Sequence, residues 1–443
     1  MKLRRISVLV LITTFLAVSP FSAKAADYGI ENCKLVSQNG FYGVNLGWLK
    51  NSSWLNGIGR KKFLVVGIDF SNARESGSVS QMVAGFELEK VNAFYSKASY
   101  GKMGLDFTIA NAVVSLPISD VGVYDIQIAG EVAKQIPRSY KLADFDGLIG
   151  IVTSNSSYSA STALTALPTS VMGNETGHIS NATIVAGISP KVPGWTPWMV
   201  IAHEIGHLLG LMDLWSREDA LAWEGKTSAP FSLMNTGAGW TYAPDFFAWE
   251  KWRSGWIADS EVVCLELNNV SAQIDLVALA NPMGKKLVVL PISTTKVIAI
   301  EFRQRSELDV GLQKSGVLVY EIDLTKGQFQ VPIKLIVSQQ AAREPYFKGL
   351  EDWRRNKEAP IGSYETVDAG FFRVSNLFDL ATTNLLITSE SLAEVSQRID
   401  ALKMAKPTPR KMLSITCTKG KITKKVTAVN PKCPSGYKKV ATR

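Results

Sequence analysis

An α+β N-terminal half, followed by a β-rich half and a short basic tail, is the architecture this 443-residue sequence predicts. Three observations carry it. A strand-length apolar run at residues 62–70 is followed by a stretch of helical periodicity and further strand-length runs. After about residue 260 the texture changes to short alternating or wholly apolar runs. Residues 402–443 hold twelve Lys and Arg and no Asp or Glu.

Residues 1–25 combine a charged start (Lys2, Arg4, Arg5), an apolar run over residues 6–18 that is too short to span a bilayer, and the small-x-small pattern Ala23-Lys24-Ala25. They read as a removable export signal. No later stretch approaches transmembrane length, so a secreted chain without a membrane anchor is expected, extracellular or associated with the cell surface. Residues 26–60 are rich in Gly and Asn and read as irregular. Residues 62–70 (KFLVVGIDF) predict a central strand. Met82, Phe86, Leu88, Val91, Phe94 and Tyr95 recur at helical spacing and predict one helix over residues 79–96. Strands are expected at 105–109 and 147–153, and the Ser-, Thr-, Asn- and Gly-rich stretch 153–193 reads as loop beside a cleft. Thr196 as N-cap, Pro197 in the first position and Gly210 as a left-handed stop frame a helix over residues 197–209.

Runs at 261–267, 286–292, 297–303 and 317–323 predict a sandwich or a large antiparallel sheet, and residues 406–410 (KPTPR) a linker. The expected boundaries are therefore 1–25 for the signal, 26–260 for the catalytic domain, 261–400 for the β-rich domain and 401–443 for the tail. The four cysteines suit an oxidising compartment. Cys417 and Cys433 are expected to close a disulfide loop, because with no His beside them a zinc knuckle lacks ligands. Cys33 and Cys264 are left for each other or as separate buried thiols.

The net charge of +9 resides in the two ends. Between residues 26 and 401 there are 32 basic and 39 acidic side chains, so no nucleic-acid-binding core is indicated. The basic tail is suited to contact with an anionic cell envelope, or is simply a solvated face.

The chemistry concentrates in His203-Glu204-Ile205-Gly206-His207-Leu208-Leu209-Gly210-Leu211-Met212-Asp213. Histidines four apart share a helix face and can present nitrogens to one zinc ion, while Glu204, one step around, can serve a water as general base without ligating. A catalytic zinc needs a third protein ligand and an open position. Gly210 lets the chain turn back, and Asp213 arrives with a carboxylate. Asp213 is the expected third ligand; His178 and Glu250 are the alternatives. The pattern predicts hydrolysis of protein or peptide substrates. No calcium-ligand loop is legible, although structural calcium would suit an exported peptidase. A different class of reading is an exported, envelope-associated binding protein with a vestigial zinc site.

The stretch from His203 to Trp215 resembles the immune inhibitor A family of secreted bacterial metallopeptidases, whose motif is H-E-x-x-H-x-x-G-x-x-D. Residues 63–70, 93–102, 231–235 (FSLMN), 248–256 (AWEKWRSGW), 300–304 and 316–323 agree with the same family in the same order. The resemblance implies a metzincin-like fold, a mixed sheet with an active-site helix, followed by a sandwich-like domain. It implies that Met234 forms a hydrophobic floor beneath the metal, and it offers Tyr242 as an oxyanion stabiliser. The chain departs from the family in carrying Met212 where proline is usual.

Overall fold

Strand β1 (Gly59–Asp69) anchors the N-terminal half and is fully buried from Phe63 onward. The protein is described here by a computed structural model covering residues 28–37, 43–48, 52–187, 196–214, 231–235, 243–268, 270–312, 314–336, 360, 366–369, 373–376, 382–404, 413–420, 422–428, 433–434 and 436–440. The export signal, the linker, Trp215 and Tyr242 lie outside these residues.

The helical stretch after β1 is two helices, α1 (Val79–Ala84) and α2 (Leu88–Ala98), where periodicity predicts one. Gly85 closes α1, and Glu87 adopts a left-handed φ of 41°, so the chain restarts on a new axis. Helix α2 still buries Leu88, Val91, Phe94 and Tyr95. Then come β2 (Met103–Ile109), β3 (Val114–Ser115), α3 (Asp125–Gln135) and β4 (Gly147–Val152). Nothing in the periodicity singles out α3, because half of its buried stripe of Ile128, Ala129, Val132 and Ala133 is alanine.

The stretch expected to be loop holds β5 (Ser161–Leu164), α4 (Thr169–Met172), the hairpin of β6 (Gly173–Asn174) and β7 (Gly177–His178), and β8 (Ala182–Val185). Strands of four residues containing Ser, Thr and Ala carry too little apolar signal to be read alone. Their tertiary partners make them strands: the sheet order is β2-β1-β4-β8-β5, with β3 beside β1. All pairs are parallel except β5 with β8. Both faces of β1 are covered, which is why its sequence is apolar without alternation. Leu64, Val66 and Ile68 enter one core with Ile128 and Val132 of α3. Phe63 and Val65 enter another with Phe94 and with Ile201, Ile205 and Leu208 of helix α5 (Pro197–Leu208).

Helix α6 (Ala248–Arg253) leads into the β-rich half. Strands β9 (Val262–Cys264), β10 (Ser271–Val277), β11 (Leu287–Pro291), β12 (Lys296–Arg303), β13 (Gly316–Asp323) and β14 (Ile333–Leu335) precede β15 (Thr366–Asp368), β16 (Arg373–Asn376) and β17 (Thr382–Thr388). They form two sheets, β14-β13-β12-β11-β9 and β10-β17-β16-β15. Strand β12 serves two cores. Ile298, Ile300 and Phe302 pack with Leu276, Leu385 and Ile387 between the sheets, whereas Val297 and Ala299 join the core that surrounds α5. Helix α5 and this sheet are therefore held by continuous apolar packing. A disulfide from Cys33 to Cys264, whose Cα atoms are 5.9 Å apart, ties the segment preceding β1 to β9.

Contacts gather residues up to Ser389 into one compact unit and Glu390–Arg443 into a second. The second unit contains α7 (Leu392–Met404), started by a reciprocal Ser391–Glu394 cap. It also contains an antiparallel sheet of β18 (Leu413–Lys419), β19 (Ile422–Ala428) and β20 (Lys438–Lys439), with β18 in the centre. Cys417 and Cys433 are disulfide-bonded there. Among the described residues no helix is long and apolar enough to cross a membrane.

Candidate metal centre

Helix α5 begins with Pro197 in its first turn, where a missing N–H costs nothing. Thr196 holds the N-cap position in extended conformation without a side-chain cap bond. The helix stops in a Schellman arrangement: Leu211 N–H donates to Gly206 O at 3.1 Å, Gly210 N–H to His207 O at 2.8 Å, and Gly210 has φ 82°. That turn brings Asp213 back toward the face that carries His203 and His207. Gly206 is required by close packing. A Cβ there would lie 2.4 Å from the buried Met234 sulfur, so the methionine packs directly against the helix backbone under the two histidines.

The segment before β1 braces this turn. Asn45 N–H reaches Gly210 O at 3.4 Å, Leu55 N–H reaches Leu208 O at 2.8 Å, and the Trp54 ring fills the space beside Gly210. The Arg253 guanidinium lies 4.6 Å from the Trp54 ring and donates to Gly47 O and Gly210 O at 2.8 and 3.0 Å.

One ligand atom each from His203, His207 and Asp213 lies within 4.8 Å of the others, and all three residues are buried. Each imidazole has its Nδ1 committed. His203 Nδ1 is 2.9 Å from Leu233 O and His207 Nδ1 is 2.8 Å from Leu211 O. A carbonyl only accepts, so both Nδ1 atoms carry the proton and both Nε2 atoms present lone pairs inward. His203 Nε2 faces Asp213 Oδ1 at 3.0 Å, and His207 Nε2 lies 3.6 Å from Oδ2. Electron pairs that converge in a buried space need a positive charge between them. A second proton on His203 would supply one. Burial alone would lower this histidine, but the Asp213 carboxylate outweighs it and pushes His203 up to about 9. Asp213 is held well below the ordinary carboxylate range, against its burial, by His207 and His203. A metal ion satisfies all three groups at once, and nitrogen and oxygen donors in this number suit zinc.

Glu204 is 6% exposed, and among the described residues nothing hydrogen-bonds its carboxylate. Burial pushes it up against the pull of His207 and His203. The two alternative ligands are engaged elsewhere. His178 Nε2 sits 2.6 Å from Leu167 O. Glu250, pushed to about 7 by burial, accepts from Ser232 Oγ at 2.8 Å and Phe247 N–H at 2.9 Å. Ser232 Oγ in turn accepts from Met234 N–H at 3.1 Å, so Glu250 supports the turn beneath the histidines from behind.

No known family profile matches the chain, and no curated protein sequence does. A solved structure of metalloproteinase-II from Bacteroides fragilis is similar over 46% of this chain and 53% of that one, at 18% identity and a TM-score of 0.27. The chain thus spans about half the length of that protein.

Three contributors to the site carry no motif. Tyr95 Oη donates to Ala202 O, just before His203, at 2.6 Å. Arg303 of β12 donates to Phe231 O at 3.2 Å, next to the turn bearing Met234. Gln328 donates to Asp213 Oδ2 at 2.5 Å. Tyr95 and Arg303 lie in the segments that carry the family resemblance. For Gln328, a polar residue in a hairpin loop, no signal in the sequence exists.

Proposed function

We propose that this chain is a secreted zinc-dependent endopeptidase of the metzincin-like, immune inhibitor A kind, hydrolysing peptide bonds of extracellular proteins. The observation that carries the reading is the buried convergence of two Nδ1-tethered histidines and Asp213 on one point, next to Glu204, whose carboxylate takes no hydrogen bond among the described residues. His203, His207 and Asp213 would hold the ion. Zinc bound there would supply the Lewis acidity that makes water a nucleophile near neutral pH and polarises a scissile carbonyl. Glu204 takes the proton of the attacking water on its carboxylate and returns it to the departing amine nitrogen. Its buried surroundings, which favour the neutral acid, suit a group that must hold a proton in mid-reaction. Export is supported by the pattern of residues 1–25, and the two disulfides suit an oxidising compartment.

The purified mature chain is expected to hydrolyse casein, to lose that activity in a zinc chelator and to regain it with added zinc. Metal analysis should find zinc equimolar with the chain. Chelator-resistant cleavage would exclude the metal mechanism, and a chain that takes up no zinc would favour the vestigial-site reading.

A second reading concerns the second unit alone. Lys419, Lys424, Lys425 and Lys438 are exposed, and among the described residues no carboxylate pairs with any of them. Unneutralised like charges on a small disulfide-held sheet favour contact with an anionic envelope polymer. The full chain should bind purified anionic cell-wall polymer at low salt and release it as salt is raised, and removal of residues 402–443 should abolish binding. Equal retention of the truncated chain would exclude this role.

A further inference from the structure

We propose that Gln328 is a positioning residue for the metal centre: its side-chain amide orients Asp213 so that one carboxylate oxygen is directed at the ion. The inference rests on reading His203, His207 and Asp213 as metal ligands. Gln328 stands in the hairpin between β13 and β14, 115 positions beyond Asp213. Its amide meets a carboxylate, so the group facing Asp213 is the NH2, and it donates to Oδ2 at 2.5 Å. Oδ1 receives no hydrogen bond among the described residues and is the oxygen that faces His203 Nε2 at 3.0 Å. The amide thus makes the two oxygens inequivalent, one engaged by the protein and one left for the cation.

Among the described residues, an orienting hydrogen bond reaches each of the three ligands. Leu233 O turns His203, Leu211 O turns His207, and Gln328 turns Asp213. The histidines take theirs from backbone next to the site. Asp213 takes its own from the β-rich half, so the site is complete only when both halves are in place.

The hairpin is shaped to deliver this side chain. Phe329, next to Gln328, and Val331, two residues further on, have left-handed φ values of 67° and 51°, which an aromatic and a β-branched residue adopt only under constraint. Thr325 N–H and Oγ1 donate to Asp323 Oδ1 at 3.0 and 2.6 Å, and Gly327 N–H donates to Gln330 Oε1 at 2.8 Å. Lys296 Nζ holds the other Asp323 oxygen at 2.9 Å. Strained residues inside a well-bonded hairpin mark a conformation kept for what it presents, and the side chain it presents is Gln328.

The test compares the full chain with Gln328→Met, which keeps the length and removes the donor, and with Gln328→Ala. Zinc dissociation constants are measured by chelator competition, and the visible spectrum of the cobalt-loaded protein reports ligand geometry. The expected result is about 10- to 100-fold weaker zinc binding in both variants with an altered cobalt spectrum, while the zinc-free protein melts as the unaltered chain does. Zinc affinity within twofold of the unaltered chain, or weakening that only tracks a lower melting temperature of the zinc-free protein, would overturn the inference. If the unaltered chain binds no divalent metal ion, the metal reading and this inference fall together, whereas metal binding indifferent to Gln328 removes the inference alone.

Discussion

Glu204→Gln is expected to lower casein hydrolysis by about 10²- to 10⁴-fold while the chain keeps its zinc, the range associated with losing a general base. Glu204 shares helix α5 with both histidines but is not part of the convergent His203–His207–Asp213 group, so an isosteric amide leaves the ligand set intact. Its carboxylate has no hydrogen bond among the described residues to lose, so the fold should tolerate the change. What disappears is an oxygen able to accept a proton from water. Initial rates and metal content measured on the same preparation separate the possibilities. Full activity in the variant would remove Glu204 from the mechanism. Zinc lost together with activity would show that the side chain shapes the site instead of moving a proton.

Arg303→Met should destabilise the protein by about 3–5 kcal/mol, measured by urea unfolding. Arg303 is completely buried on the β12 face that joins the core around α5. Its Nε and Nη2 donate to Asp309 at 2.7 and 2.6 Å, and its Nη1 donates to Glu301 at 2.9 Å. The same guanidinium donates to the carbonyls of Phe231 and Phe246 at 3.2 Å and of Asp245 at 3.3 Å. Burial alone would lower its affinity for the proton, but Asp309 and Glu301 hold it far above the ordinary range. Methionine fills much of the volume but leaves the buried Glu301 and Asp309 carboxylates without their counter-charge and three carbonyls without the guanidinium donor. Arg303→Lys should recover only part of the loss, since one ammonium cannot reproduce the fork. Because Phe231 precedes the turn bearing Met234, zinc affinity should fall as well. A loss below about 1 kcal/mol would mean that water replaces the guanidinium easily, and would remove this cluster from the account of how the halves are joined.

Local patterns carried a good part of this protein into its sequence. The spacing of His203 and His207, Pro197 at the start of α5 and Gly210 at its end are short-range features, and short-range chemistry is what a single chain displays directly. Strands β1, β12 and β13 were legible for a related reason. Being buried on both faces makes a strand apolar along its whole length. The break between α1 and α2 was not legible, because apolar spacing continues across Gly85 and only the backbone at Glu87 reveals the change of axis. Strands β5 and β8 stayed hidden in a stretch rich in Ser, Thr and Ala, where pairing with β4 and with each other, more than local preference, makes them strands.

The sequence by itself therefore determined which helix carries the metal-binding pattern, where that helix starts and stops, and which side chains it offers. Tertiary structure alone decided how those side chains are aimed. The Leu233 carbonyl against His203, Gln328 against Asp213 and Arg303 beneath the Met234 turn are contacts between residues 30 to 115 positions apart. Hydrogen bonds over such separations depend on the folded backbone bringing donor and acceptor to about 3 Å, and no periodicity or spacing in the chain encodes them.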